Sequence, residues 1–210
     1  ELYEATDQHA NMPNYETAKE NFSWEEIEKE FSWYETGKVN MAYEAIDKHV
    51  DEGHGDKIAL HYKLEDNIQS FTFKEMKENS NKAANILKNA GVKKGGRVFI
   101  FMARSPELYF GLLGALKIGA VVGPLFEAFM EKAVKDRLED SEATTIITTS
   151  ELLPRIPVDD LPDLKNIIVA GDDVDEQFIN FNEEFKNASA EFDIEWLGKE
   201  DGMILHYTKI

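Results

Sequence analysis

The stretch between Arg97 and Thr149 alternates strand-like and helical patterns, and this alternation constrains the fold more than any other feature of the sequence. Short apolar runs rich in β-forming residues are separated by segments with helical patterns. The strand-like runs are 98–102, 120–122 and 144–148, and the helical segments are 106–118 and 130–138. Strands that alternate with helices of this length need crossover connections, which make the strands parallel and place helices on both faces of the sheet. The sequence therefore predicts an α/β fold with a mainly parallel sheet.

Local signals mark the ends of the first of these helices. Ser105 is predicted to cap its start, and Gly119 is predicted to end it. Pro106 suits the first helical position, because the N–H groups of the first turn have no hydrogen-bond partner within the helix and proline has no N–H. In open parallel sheets, ligands gather at loops beyond the carboxyl ends of the strands. The candidate ligand loops are therefore 103–105, 123–129 and 150–155.

Further elements are predicted on both sides of this core. Two runs of strand-forming residues flank a likely turn and predict an antiparallel hairpin, and a capping-box pattern opens the helix that follows. The hairpin runs are 57–62 and 69–73 around the turn 65–67, and the helix has Thr72 and Glu75 as its capping box and ends at Gly91. Towards the end of the chain, a strand is predicted at 167–170 and an acidic loop or short helix within 172–190.

The chain is expected to divide after residue 38. Residues 1–38 are predicted to form an N-terminal arm and a helix, and residues 39–210 an incomplete first α/β subdomain. Residues 1–20 show no hydrophobic period, which predicts an irregular arm.

Two helix starts are predicted around this boundary. Ser23, with Glu26 three residues later, has the pattern of a capping box for a helix in which Ile27 and Phe31 share a face. Asn40 is predicted to cap the next helix along the chain.

The charge of the chain excludes several classes of partner. There are 41 acidic and 23 basic side chains, and the resulting net charge of -18 opposes non-specific binding to nucleic acid or to an anionic membrane. The most apolar segment, 110–126, is interrupted by Lys117 and Pro124 and is shorter than the roughly 20 apolar residues of a spanning helix. It is therefore predicted to be a buried helix and strand.

The sequence offers no evident metal site. It has no cysteine, which excludes disulfides and thiolate ligands and makes the cytoplasm the expected compartment. His49 and His54 flank two acidic residues, but a metal site needs converging ligands and supporting hydrogen bonds, and this segment is better explained as a solvated helix end.

Two arginines lie in the candidate ligand loops. Arg104 follows the first parallel strand, where a helix start can hold an anion, although a structural ion pair explains it equally well. Arg155 lies in a loop stiffened by Pro154 and Pro157, and a planar guanidinium there suits a phosphate. The alternative is an exposed Arg155 that pairs with Asp159 or Asp160.

Four segments of the sequence carry the motifs of one known family. Residues 31–49, FSWYETGKVNMAYEAIDKH, are similar to an N-terminal signature in which a Trp-Phe/Tyr pair is followed by N-x5-6-D-R/K-H. Residues 117–126, KIGAVVGPLF, resemble an R/K-I-G-A segment, and 126–133, FEAFMEKA, resemble a loop before a helix. Residues 205–208, LHYT, resemble the start of a phosphate loop, Y-T-S-G-T-T-G. Together the four segments resemble the AMP-forming acetyl-CoA synthetases and their short-chain relatives within the adenylate-forming enzymes.

This resemblance, which covers residues 21–208, implies an acetate–CoA ligase in which acetate and Mg-ATP form acetyl-adenylate and pyrophosphate, and CoA then displaces AMP. It implies acetate, ATP and CoA as partners, with Mg²⁺ in the full-length enzyme. Lys209 and Ile210 replace the expected Ser-Gly, and the sequence contains no glycine-rich phosphate loop with a lysine. The isolated chain is therefore expected to be inactive, to require no cofactor, and to self-associate through uncovered apolar surface. A medium-chain acyl-CoA synthetase portion and a non-catalytic acidic interaction module remain alternatives.

The resemblance also implies site residues. The family's Phe-Gly-Gly-Phe loop approaches CoA, and here it reads Phe126, Glu127, Ala128, Phe129, with Arg155 as the arginine that meets a CoA phosphate and Thr208 at the start of the ATP phosphate loop. No catalytic or metal-binding residue is assigned within the chain. Glu127 and Ala128 replace two glycines that permit positive φ and close backbone approach, and Glu127 adds negative charge beside a polyanion, so weak binding is expected. Alternatively, both phenylalanines fill the core and Arg155 pairs with Asp159.

Overall fold

The computed structural model describes residues 14–208, which divide between Lys38 and Val39 into two compact units. The assignment of these units as domains of a larger protein stays a prediction. The first unit contains three short helices, α1 (Tyr15–Asn21), α2 (Trp24–Glu28) and α3 (Trp33–Thr36). The prediction of an irregular arm is wrong from Tyr15 onward, because Asn14 caps α1 by accepting a hydrogen bond from the N–H of Thr17 at 3.0 Å. Residues 1–13 lie outside the described residues.

The capping box predicted at Ser23 is wrong. Helix α2 does begin directly after Ser23, but the serine side chain makes no capping hydrogen bond. The helix also ends at Glu28, before Phe31, and the N–H of Lys29 at its end donates to the carbonyls of Glu26 and Ile27. The predicted face shared by Ile27 and Phe31 is therefore not formed.

The second unit opens with a helical segment, 41–54, much of which has the wider π-helical hydrogen-bond pattern. Asn40 caps it as predicted: its Oδ1 accepts from the N–H groups of Ala42 at 3.0 Å and Tyr43 at 3.2 Å. The predicted hairpin is confirmed as β1 (Ile58–Leu64) and β2 (Asn67–Thr72), which pair antiparallel.

Helix α4 (Phe73–Asn89) follows the hairpin directly, and its predicted capping box is confirmed. The Thr72 side chain accepts from the N–H of Glu75, and the Glu75 carboxylate accepts from the N–H of Thr72. Gly91 has a φ of +85°, a left-handed conformation that glycine adopts without steric cost, and ends the helical region.

A five-stranded parallel sheet forms the centre of the second unit, as the sequence predicts. Its helices are α5 (Pro106–Lys117), α6 (Glu131–Asp140) and α7 (Phe181–Asn187). The strands are β3 (Arg97–Phe101), β4 (Val121–Leu125), β5 (Thr145–Thr149), β6 (Asn166–Ala170) and β7 (Ile179–Asn180), in the order β4-β3-β5-β6-β7. The predicted strand within 120–122 is too short, because β4 continues to Leu125 and the ligand loop begins at Phe126.

Helices cover both faces of this sheet, also as predicted. Alternate residues of a strand point to opposite faces, so Val98 and Ile100 of β3 join the core formed with α4 and α5, whereas Phe99 and Phe101 join the core formed with α6. Gly123 of β4 leaves room for the Phe99 ring, which a Cβ atom at that position would overlap. Ser105 precedes α5 but makes no capping hydrogen bond, so the predicted side-chain cap is wrong.

A sixth segment, not predicted from the sequence, joins the sheet beside β4. Ile204 forms a parallel bridge with Val122, whose N–H donates to the Met203 carbonyl and whose carbonyl accepts from the N–H of Leu205, both at 2.9 Å. The preceding chain is held across α4, where the Asn85 side chain donates to the carbonyls of Ser189 and Glu191, each at 2.9 Å. Within residues 14–208, no helix is long and apolar enough to cross a membrane.

Candidate ligand site at the carboxyl edge of the sheet

Strands β3, β4 and β5 end at the same edge of the sheet because they are parallel and in register. The connection after β3 leads to the face covered by α5, whereas the connections after β4 and β5 pack against the opposite face. Neighbouring strands whose connections leave on opposite faces create a crevice at their carboxyl ends. A cleft of about 440 Å³ lies there, lined by Ala103, Glu127, Ala128, Thr149, Glu151, Leu152 and Arg155.

The loop that follows β4 is a tight turn over 126–129, closed by a hydrogen bond from the Phe129 N–H to the Phe126 carbonyl at 2.9 Å. Glu127 and Ala128 occupy its central positions. Within residues 14–208, the only residues other than glycine with positive φ are Glu65 and Glu142. The turn therefore forms without the left-handed backbone that favours glycine, and Glu127 and Ala128 occupy it without backbone strain.

Arg155 holds this turn in place. It lies in a single 3-10 turn, Leu153–Arg155, and its Nη1 donates to the carbonyls of Glu127 at 2.9 Å and Phe129 at 3.4 Å. Within residues 14–208, Arg155 has no carboxylate oxygen within 4 Å, and Asp160 instead accepts from Lys135 at 2.7 Å. The predicted alternative in which Arg155 pairs with Asp159 or Asp160 is wrong, because the guanidinium points to the turn.

The two phenylalanines of the turn have different environments. Phe126 is 62 % exposed, whereas Phe129 is partly buried and packs against the core beneath the sheet. Their ring centroids are 5.8 Å apart in an edge-to-face arrangement. The alternative that both rings fill the core is wrong for Phe126, whose face is available to a ligand.

Arg137 of α6, which sequence analysis did not single out, joins this turn to the segment after β4. Its guanidinium carbon lies 4.2 Å from the centroid of the Phe129 ring and 5.6 Å from that of Tyr207. The Tyr207 hydroxyl donates to Asp140 Oδ2 at 2.7 Å, and burial, followed by this hydrogen bond, raises the pKa of Tyr207 to about 12. The only sequence signal is the position of Arg137 beside Val134 and Leu138 on the buried side of the helix.

Thr208 is exposed and follows Tyr207. Ile204 pairs with Val122 in parallel, and the N–H of Leu205 donates to the Val122 carbonyl, so the segment that leads to Thr208 joins the sheet beside β4. The role of Thr208 in a phosphate loop stays a prediction.

Arg104 is exposed at this edge but does not line the cleft. Within residues 14–208 it forms no ion pair within 4 Å, so the alternative of a structural ion pair is wrong for this arginine. The neighbouring Ser105 Oγ is buried without a hydrogen-bond partner.

Two of the segments that carry the resemblance, 31–49 and 117–126, meet in the interior of the second unit through Asn40, Asp47 and Lys117, which do not line the cleft. Asn40 donates to the Leu116 carbonyl at 2.8 Å, and Lys117 Nζ lies 2.8 Å from Asp47 Oδ1, with both side chains of this ion pair at most 2 % exposed. Lys117 Nζ also donates to Asn81 Oδ1 at 2.6 Å. These signature residues therefore stabilise the fold and do not contact the candidate ligand.

Burial perturbs both members of this pair. It raises the pKa of the Asp47 carboxyl and lowers the pKa of the Lys117 ammonium, while their mutual attraction acts in the opposite direction on each. No group of three or more histidine, cysteine or acidic side chains within residues 14–208 is arranged to hold a metal ion. His49 packs against the ring of Phe73, at 4.5 Å between centroids.

Comparison with known proteins identifies the family. The family model described as "AMP-binding enzyme" matches residues 47–208. The chain is 57 % identical over 201 residues to the acetyl-coenzyme A synthetase of Bacillus subtilis, with 94 % of this chain and 35 % of that protein covered. It is 31 % identical over 176 residues to the acetyl-coenzyme A synthetase of Alkalilimnicola ehrlichii, with 75 % of this chain and 27 % of that protein covered.

Solved structures confirm the fold class. A Brucella canis acyl-CoA synthetase superimposes with a TM-score of 0.82 at 24 % identity, covering 93 % of this chain and 36 % of that one. An anthranilate CoA ligase in complex with anthranoyl-AMP superimposes with a TM-score of 0.74 at 25 % identity, covering 81 % of this chain and 32 % of that one.

The chain spans about a third of the length of the Bacillus subtilis relative. From the match over residues 47–208 it follows that the chain belongs to the family of AMP-binding enzymes.

Proposed function

We propose that this chain is the N-terminal portion of an AMP-forming acetate–CoA ligase, which converts acetate, ATP and CoA to acetyl-CoA, AMP and pyrophosphate. The 57 % identity to a protein named acetyl-coenzyme A synthetase over 94 % of this chain is the observation that supports the proposal most strongly. The small-molecule partners are acetate, CoA and ATP, the last with its Mg²⁺, and the expected compartment is the cytoplasm.

The cleft at the carboxyl edge of the sheet is proposed as the CoA subsite of this chain. Phe126 offers an exposed aromatic face on which an adenine can stack. Phe126 precedes two residues that line the cleft, Glu127 and Ala128, and Arg155 lines the cleft itself. Only Nη1 of Arg155 is engaged with the turn carbonyls, which leaves other N–H groups of the guanidinium for a phosphate. An aromatic face and a planar cation on adjacent loops match the two ends of a nucleotide.

The charge of the cleft argues for weak binding. Glu127 and Glu151 line it together with Arg155, so a polyanionic ligand meets two carboxylates and one guanidinium. Like charges at short range oppose binding, most strongly at low salt. The net charge of -18 adds a long-range repulsion of the same sign.

Thr208 is proposed to begin the phosphate loop that binds ATP. Stabilisation of charge on a transferred phosphoryl or adenylyl group depends on preorganised donors and cations. The sequence of this chain contains no glycine-rich loop with a lysine that could provide them. We therefore assign the chain a role in positioning CoA, and no catalytic residue.

Isothermal titration calorimetry of CoA at about 0.15 M salt, which screens the long-range repulsion between the acidic chain and CoA, tests the proposal. We expect weak but measurable binding, and we expect Arg155→Ala to weaken it by about 1–3 kcal/mol, the range for a hydrogen bond to a charged group. Glu127→Gln should strengthen binding because it removes a repulsive carboxylate. Arg97→Ala is the matched control, since Arg97 pairs with Glu142 and begins β3, at the opposite edge of the sheet.

Equal affinities of the wild-type chain and Arg155→Ala would remove Arg155 from the site. Absence of any heat with CoA in the wild-type chain would contradict the CoA subsite and favour the non-catalytic interaction module. The length of the acyl chain is tested separately on the longer ligase, by comparing its rates with acetate and with medium-chain acids.

A further inference from the structure

We propose that Arg137 is a positioning residue that couples the turn 126–129 to the chain around Tyr207 and Thr208. The guanidinium of Arg137 contacts Phe129, the last residue of the turn, and also Tyr207, the residue before Thr208. The effect on CoA rests on the proposed function. The coupling itself does not, because it depends only on the side chains of Arg137, Phe129 and Tyr207.

The contacts of Arg137 show that the two rings are its principal partners. Its Nη1 donates to the Ala133 carbonyl at 2.8 Å, one turn back along α6. Its Nε is buried and has no hydrogen-bond partner, and within residues 14–208 no carboxylate oxygen lies within 4 Å of the guanidinium. Contact with the face of an aromatic ring stabilises a partly buried cation that has no ion pair, and this cation–π attraction becomes stronger as water is excluded.

Each ring is also held by a further contact. The turn that carries Phe129 is held by Arg155, whose Nη1 donates to the Glu127 and Phe129 carbonyls. Tyr207 is fixed to the end of α6, because its hydroxyl donates to Asp140 Oδ2 at 2.7 Å and to the Arg137 carbonyl at 3.3 Å. Arg137 therefore contacts both rings at once and connects Tyr207 directly to the turn. Tyr207 also lies near Phe99 of the core, with 6.5 Å between the ring centroids.

This arrangement predicts a consequence for ligand binding. A ligand that moves Thr208 and Tyr207 changes the support beneath Phe129, and with it the position of the Phe126 ring, which packs against Phe129. Arg137 does not line the cleft. Its effect on CoA must therefore be indirect, through the rings that it contacts.

NMR of the chain with isotope-labelled phenylalanine rings tests the coupling without any ligand. We expect Tyr207→Leu to shift the Phe129 ring resonances in the wild-type background and to cause no such shift when Arg137 is replaced by Met. Tyr207→Phe, which keeps the ring and loses only the hydroxyl, should cause a smaller shift and serves if the leucine variant does not fold. Arg97→Met, at the start of β3, controls for the loss of an arginine away from the turn.

Two results would overturn the coupling: an unchanged Phe129 resonance in Tyr207→Leu, or the same shift with methionine at position 137. A CoA titration then tests its consequence. We expect Arg137→Met to weaken CoA binding by about two- to fivefold, the ratio equivalent to the ~0.5–1 kcal/mol of an exposed cation–π contact, and Arg97→Met to leave it unchanged. Equal affinities of wild type and Arg137→Met would refute the effect on the ligand. Failure of the wild-type chain to bind CoA would refute the CoA subsite, while the NMR result still decides the coupling.

Discussion

Replacement of Lys117 by methionine should destabilise the fold far more than replacement of a surface lysine. Lys117 is fully buried, and its ammonium has three acceptors, one for each N–H: Asp47 Oδ1 at 2.8 Å, Asn81 Oδ1 at 2.6 Å and the Lys77 carbonyl at 3.4 Å. Methionine retains the apolar length of the side chain but removes the charge and every donor. The Asp47 carboxylate, 2 % exposed, is then buried without its counter-ion.

The magnitude follows from the cost of an uncompensated buried charge. Removal of one partner of a buried ion pair costs about 3–5 kcal/mol, whereas replacement of both partners by apolar side chains is often close to neutral. We therefore expect Lys117→Met to lower the free energy of unfolding by about 3–5 kcal/mol. Asp47→Leu combined with Lys117→Met should cost less than Lys117→Met alone.

Urea unfolding followed by circular dichroism measures these differences, provided that the slope of the free energy against urea concentration stays the same. Lys94→Met is the matched control, because its ion pair with Asp201 is as short, at 2.7 Å, but its side chain is 43 % exposed. We expect this control to lose only about 0–1 kcal/mol. A loss for Lys117→Met no larger than that of Lys94→Met would refute the reasoning.

The pH dependence provides an independent check. Burial already raises the pKa of Asp47, and loss of the Lys117 charge should raise it further. A carboxyl group whose pKa is higher in the folded than in the unfolded state contributes stability below its unfolded pKa, and this stability is lost as the pH rises through the folded value. The loss of unfolding free energy in Lys117→Met relative to wild type should therefore be smaller at acidic than at neutral pH. A loss that does not depend on pH would contradict the attribution of this loss to an unpaired Asp47 carboxylate.

Two further predictions concern the isolated chain. It should not catalyse acetate-dependent exchange of pyrophosphate into ATP, because its sequence has no glycine-rich phosphate loop with a lysine to position the nucleotide; exchange above a control without protein would contradict this. It should self-associate, because Ile58, Leu64 and Ile68 of the hairpin are between 47 % and 61 % exposed and apolar surface favours burial. Light scattering that shows only monomer at high concentration would count against the second prediction.

The sequence by itself determined those features whose signals are local. The alternation of apolar runs predicted the parallel sheet with helices on both faces, because the periods of strands and helices are written into adjacent residues. Thr72 and Glu75 predicted a capping box that the structure confirms, since both partners lie within one helical turn. Local patterns also misled at Ser23 and Ser105, where a capping residue precedes a helix but its side chain makes no capping bond.

The residues of the predicted ligand loops indicated where the site lies, but not which hydrogen bonds its side chains form. Phe126, Phe129 and Arg155 were predicted to lie near one another because parallel strands end at a common edge, and the structure places them there. The sequence left open whether Arg155 pairs with a nearby aspartate, and only the folded chain decided that it holds the carbonyls of a turn 26 and 28 residues away. The partner of Arg155 depends on which acceptors the fold brings within hydrogen-bond distance of its guanidinium.

Contacts between distant parts of the chain were decided by the tertiary structure alone. Asn40 and the Leu116 carbonyl are 76 residues apart, and Asp47 and Lys117 are 70 residues apart, yet each pair is joined by a hydrogen bond of 2.8 Å in the interior. The position of Arg137 between Phe129 and Tyr207 likewise requires the segment after Met203 to lie beside β4. No periodic pattern encodes such pairs, because they exist only once the helices and strands that carry them have packed together.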